Sequence, residues 1–204
     1  MNIDFNTVVP KFDAILKRGL SLGLGDPDGQ MCIEAAWCSA LGLPHGDDPG
    51  CVAKSVRRFK IVLNDRNWSS PRARANGMRD LGIAQLGSLG VVADHEFVKR
   101  LAEKTIRVLL PAISISISSI NISLDRCERE GTCASARYAR DILAAYADAA
   151  YANAADAAAY ADAAVNAADA GKNRDKHLCL SATLALDVLR ELKSPGAIWL
   201  DAQN

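Results

Sequence analysis

From Ala144 to Ala170, 17 of 27 residues are alanine. Alanine has the highest helix propensity of any residue, because it loses no side-chain entropy on folding. The tract therefore predicts one long helix, from about 134 to 170, spanning roughly 55 Å at the α-helical rise. Asp141, Asp148, Asp162 and Asp169 recur at heptad multiples and give it a polar line, while Tyr146 and Tyr160 stand fourteen apart with Asn153 midway. Small side chains let helices approach closely, so antiparallel packing against a neighbour is expected. They also bury little area: at about 25 cal/mol per Å² the tyrosines must supply much of the stabilisation. Gly171 ends the rod, and KNRDK is a solvated turn.

Helical spacing recurs elsewhere. Phe12, Ile15, Leu16 and Leu20 form a stripe over 7–22, with Pro10 in the first turn. A turn-rich loop (23–30) leads to a helix over about 31–41, stopped by Gly42, and a second loop (43–50) leads to another over 51–64. Ser70–Pro71 reads as N-cap and first helical residue of a helix reaching about 86. Asp94 is expected to cap the next. Within 112–123, Ile and Ser alternate as in a strand. The stripe Ile106, Leu110, Ile113, Ile117, Ile120, Leu124 and Cys127 extends past that stretch at both ends and favours a helix kinked at Pro111, with a hairpin as the alternative. A last helix (174–193) carries Leu178, Ala182, Ala185, Leu189 and Leu192. Ser194–Pro195–Gly196 closes it, and Ile198, Trp199 and Leu200 clip the tail to the body. The expectation is an all-α, multi-helix bundle with one long Ala-rich helix. It is divided into 1–131 and 132–204, or forms a single domain.

With 204 residues, half of them apolar, the chain has material for a real core. Its N-terminus carries Asp4 and no unbroken apolar run, unlike a signal peptide, and Asp148, Asp156 and Asp162 interrupt the most span-like tract. A cytoplasmic protein without membrane contact is expected. Cys32, Cys38, Cys51, Cys127, Cys133 and Cys179 are then free thiols. The formal net charge of zero hides a separation: 51–80 holds eight bases against two acids, a net +6, whereas 141–171 holds five aspartates and no base.

The densest polar block is 31–51. Cys32 at a helix N-terminus has the position of an activated nucleophile, with His45 as its base and Gln30 as an oxyanion donor. The resemblance to papain-like enzymes ends there, since no CWAF-like run follows and the histidine comes too early. Cys32, Cys38, His45 and Cys51 contain zinc-ligand residue types, but C-x5-C-x6-H-x5-C matches no common zinc pattern. The third reading makes the cysteines core thiols and Asp47–Asp48 a cap. Trp37 stands where an EF-hand would need its bidentate acid, and the glycines of 19–29 follow no strand. His95 and His177 read as surface residues. No metal and no cofactor are expected.

The basic segment is the better candidate. Lys54, Arg57, Arg58 and Lys60 lie on one helix; Arg72, Arg74 and Arg79 lie on the next. Trp68 between them offers a stacking face, and Ser69–Ser70 offer hydroxyls beside helix N-terminal amides. Arginine forks, an aromatic plane and a helix N-terminus suit a phosphate-bearing ligand. The competing reading makes these solvated helix faces whose arginines pair with the acidic rod.

At CIEAA…LGLPHGDDPGC, followed by VRRFKIVLNDRNWSS and MRDLGIAQLGS, the chain resembles an uncharacterised family of bacterial and phage helical proteins with Ala-rich tracts. That resemblance implies no activity, and no functional residues carry over. The leading expectation is a non-enzymatic protein that captures a nucleotide or nucleic acid through 54–79. The second is a phage or mobile-element inhibitor or adaptor acting through the acidic rod at 141–170, on a host protein or as a homodimer. The third is a Cys32/His45 hydrolase or transferase.

Overall fold

The structure, a computed structural model, describes residues 3–109 and 174–203. Among the described residues there are seven α-helices and no β-strand: α1 (Phe5–Leu16), α2 (Ile33–Ala40), α3 (Lys54–Asn64), α4 (Pro71–Ala84), α5 (Asp94–Lys104), α6 (Arg174–Glu191) and α7 (Pro195–Asp201). A π-helical turn, Thr105–Leu109, continues α5. The all-α, multi-helix architecture is the one the apolar spacing predicts. The Ala-rich helix, the acidic line at 141–170, the choice between helix and hairpin at 112–123, and Cys127 and Cys133 lie outside the described residues.

One apolar core runs through both described stretches, from Val9 to Leu200. At its centre is α2, which is buried on every side except at Ser39. A helix that is apolar all round belongs in an interior. Trp37 of α2 stacks on Phe12 of α1 with ring centroids 3.8 Å apart. Gly82 of α4 makes that stack possible, because a Cβ there would stand 3.0 to 3.3 Å from Ile33, Phe12 and Trp37. The central strut is α4, which contacts α1, α2, α3, α6 and α7.

Its start is as read from the sequence: Ser70 Oγ accepts the Ala73 N–H at 3.0 Å and Pro71 takes the first helical position. Four other boundaries differ. First, α1 begins at Phe5, so Pro10 falls inside the helix, and Gly19 at φ +82° reverses the chain, leaving Leu20 on the return limb. Second, α3 begins at Lys54, because 51–53 run in non-helical conformation. Third, Asp94 opens α5 but caps a different helix, its Oδ1 accepting the Ser55 N–H of α3 at 2.8 Å. Fourth, Ser194–Pro195 begins a helix as well as following one. Ser194 Oγ donates to the Ala84 carbonyl at 2.5 Å, and α7 then brings Trp199 onto Phe5, 5.6 Å between centroids. Preceding it, α6 ends in a Schellman turn: Ser194 N–H donates to Leu189 O (2.9 Å) and Lys193 N–H to Arg190 O (3.0 Å). Among the described residues no helix is long and apolar enough to cross a membrane.

Candidate functional site

The fold scatters the basic segment. Lys60 and Arg74 point inward. Lys60 is fully buried and its Nζ lies 3.3 Å from Glu34 Oε1, which is equally buried. Arg74 donates to the Leu20 carbonyl at 2.7 Å and to the Arg66 carbonyl at 3.3 Å. Arg72 donates to the Lys17 carbonyl at 2.8 Å. Arg79 grips Asp13 with two bonds, 2.7 and 2.8 Å, and Asp80 with a third at 2.8 Å. Trp68 is not a stacking face: it is buried, donates to the Leu63 carbonyl at 3.0 Å, and lies over Gly77, where a Cβ would stand 2.6 Å from its ring. The hydroxyl and the amide of Ser69 both donate to Asp175 at the start of α6. These six residues of the expected ligand set hold helices together.

The remaining three converge. Lys54, Arg57 and Arg58 line a groove of about 570 Å³ on the outer side of α3, floored by Val52, Ile61, Val62 and Leu89 and edged by Asp48 and Gly50. One α-helical turn brings 54, 57 and 58 to one side, since residues three and four apart are neighbours on a helix. Lys54 and Arg58 are exposed and have no ion-pair partner among the described residues. Arg57 is half-buried. Its Nη1 lies 2.9 Å from Asp48 Oδ2 and its Nη2 lies 3.4 Å from Asp47 Oδ1. Of the floor residues, Val52 is a buried core residue and Leu89 is 54% exposed. Leu89–Gly90–Val91, an apolar pair around a glycine in a turn, was the signal of this floor available in the sequence.

Behind the groove lies a second, smaller cleft of about 100 Å³, lined by Leu24, Cys32, Glu34, Asp47, Asn64 and Asp65 among others. It also bears on the Cys32/His45 reading. Cys32 does sit at the N-cap of α2, where its Sγ accepts the Ala35 N–H at 3.4 Å. Burial nevertheless pushes its thiol up, outweighing the helical amides that pull it down. His45 Nε2 lies 3.3 Å from the Gly25 carbonyl. Burial also raises the Cys51 thiol, and burial with Glu34 nearby pushes Cys38 up to about 11. Burial thus holds all three in the thiol form. Among the described residues no three His, Cys, Asp or Glu side chains form a group able to hold a metal ion.

Glu34 and Lys60 form the deepest polar feature. Burial pushes the Glu34 carboxyl up and the Lys60 ammonium down, and in both the partner's charge opposes the change. Gln85 Nε2 donates to Glu34 Oε2 at 3.0 Å. Gln85 Oε1 and Trp37 Nε1 have no hydrogen-bond partner among the described residues. A buried pair of this kind fixes how α2, α3 and α4 meet more than it adds stability.

No family model, no curated protein and no solved structure matches the chain.

Proposed function

We propose that the protein is a non-enzymatic binding protein whose ligand is a small phosphate ester with an apolar or planar body, of mononucleotide size. The observation that carries this reading is the groove on α3. It joins two unpaired cations, Lys54 and Arg58, to the half-buried Arg57 along an apolar floor. Its volume, about 570 Å³, falls within the range of small-molecule sites, and an apolar surface with a few convergent charges is their usual make-up. Phosphate oxygens meet the arginine fork and the ammonium, while the body of the ligand covers Val52, Ile61, Val62 and Leu89. A polymeric nucleic acid fits less well. The bases that would have extended the track, Lys60, Arg72, Arg74 and Arg79, are bonded to groups of the protein itself.

Calorimetric titration with ADP, pyrophosphate and adenosine tests the reading. ADP is expected to bind more tightly than pyrophosphate, and adenosine weakest of all. Affinity for both anions is expected to fall as salt rises. Arg58→Ala is expected to weaken ADP by roughly tenfold, about the value of one charge-assisted hydrogen bond. Absence of saturable binding by ADP and pyrophosphate, or binding indifferent to both salt and Arg58→Ala, overturns it.

A further inference from the structure

The two cavities share a wall. Ile61 lines both, and loop 43–50 contributes Asp48 to the groove and Asp47 to the cleft beside Cys32 and Glu34. These adjacent carboxylates end on one guanidinium, Arg57, at 2.9 and 3.4 Å. Arg57 itself lines the groove. Its Nε is buried and has no hydrogen-bond partner among the described residues, so the outward-facing Nη atoms carry the attachment. Earlier in the loop, His45 Nε2 lies 3.3 Å from the carbonyl of Gly25, the neighbour in sequence of Leu24, which also lines the cleft. Asp47 and Asp48 are 53% and 60% exposed, so water and other anions compete readily for their places.

We infer that Arg57 is a latch coupling the groove to the cleft: it holds loop 43–50 across the entrance to Cys32 and Glu34, and an anion seated in the groove releases the loop. The chemistry is an exchange of partners. A di-anionic phosphate placed by Lys54 and Arg58 offers Arg57 a bidentate acceptor with more charge than an exposed carboxylate. Once Asp48 is displaced, Asp47 loses its position too, because the two are neighbours in the chain and share one cation. The cleft then widens over the Cys32 thiol. The latch needs only the geometry above, whereas its release by an anion rests on the proposed function.

The test is the rate at which iodoacetamide modifies Cys32, read by peptide mass spectrometry relative to the partly exposed Cys179 and measured well below the thermal transition. Arg57→Gln is expected to raise the Cys32 rate about fivefold, the population change that an exposed ion-pair network can hold. The double variant Asp47→Asn, Asp48→Asn is expected to do the same while keeping Arg57. Pyrophosphate is expected to raise the rate in the native protein and to need a roughly tenfold higher concentration to do so in Arg58→Ala. Cys32 rates unchanged in both variants overturn the latch, whatever pyrophosphate does. A rise in the variants without a rise on demonstrated pyrophosphate binding overturns the coupling. If pyrophosphate does not bind at all, the groove's assignment falls and the variants alone decide the latch.

Discussion

Helix α3 carries two ion pairs three residues apart that do opposite things. Lys60 and Glu34 are both fully buried and meet at 3.3 Å, whereas Arg57 lies 27% exposed between carboxylates that are more than half exposed. Coulomb attraction is of one kind in both, but what surrounds it differs. In the interior no water or salt stands ready to replace either charge, and Gln85 gives Glu34 only a neutral hydrogen bond, so separating the pair strands a charge in an apolar medium. At the surface water and salt replace either partner at little cost. The first pair is therefore a fixed joint between α2 and α3, and the second is an exchangeable contact suited to a site. The +6 charge of 51–80 did not separate the two roles.

The largest effect is expected from breaking the joint on one side. Glu34→Ala leaves Lys60 buried without its partner and Gln85 without its acceptor, and is expected to lower unfolding stability by roughly 3–5 kcal/mol. Denaturant titration measures it. The double variant Glu34→Leu, Lys60→Met removes both charges and keeps the volume. It is expected to recover most of that loss or to exceed native stability. If the double variant is no better than Glu34→Ala, the pair is not the joint described above.

The distinction was partly legible in the sequence. The inward face of α3 is Val56, Phe59 and Leu63, and Lys60 completes the same i, i+3, i+4, i+7 pattern, so its spacing already placed it inside. Arg74 likewise stands four and seven residues before Met78 and Leu81, the buried face of α4. Helices α1 to α6, the Ser70–Pro71 start and the Gly42 stop followed from local chemistry, whereas α7 stands where a tail was expected. Long-range partners did not. That Asp175 would claim Ser69, Asp13 would claim Arg79, or Gly77 would seat Trp68 depends on how helices far apart in the chain come to lie together. Local spacing identifies a face but not what meets it, which is why the basic segment is longer than the groove it contributes to.

A contact of intermediate strength comes next. Asp94 Oδ1 caps the N-terminus of α3 from another helix, and its contact with Ser55 holds its carboxyl below the usual aspartate range. A carboxyl lowered on folding contributes stability that is full above its ordinary pKa, near 3.9, and is lost as pH falls through its folded value. Asp94→Ala is expected to cost about 1 kcal/mol at neutral pH, held to that level by the exposure of the site. The difference from the native protein should shrink as the pH falls below about 4. Parallel melts at pH 7 and pH 3 check this. A constant difference at both would mean that packing, not the charged cap, carries the effect.

The smallest effect on stability is expected at the contact with the largest proposed role. Arg57→Gln removes both bonds to loop 43–50, yet should shift unfolding stability by no more than about 1 kcal/mol at low salt. In roughly 1 M salt, where the Debye length is near 3 Å, that difference should vanish, while the cost of Glu34→Ala persists because ions do not enter the core. Denaturant titrations of the two variants at both ionic strengths set the pairs side by side. A salt-resistant loss of several kcal/mol for Arg57→Gln would make Arg57 a second structural joint, and a residue so committed would not be free to exchange Asp48 for a ligand. A small, screened loss is what the exchange requires: the loop is held firmly enough to close the cleft and loosely enough for a phosphate to compete.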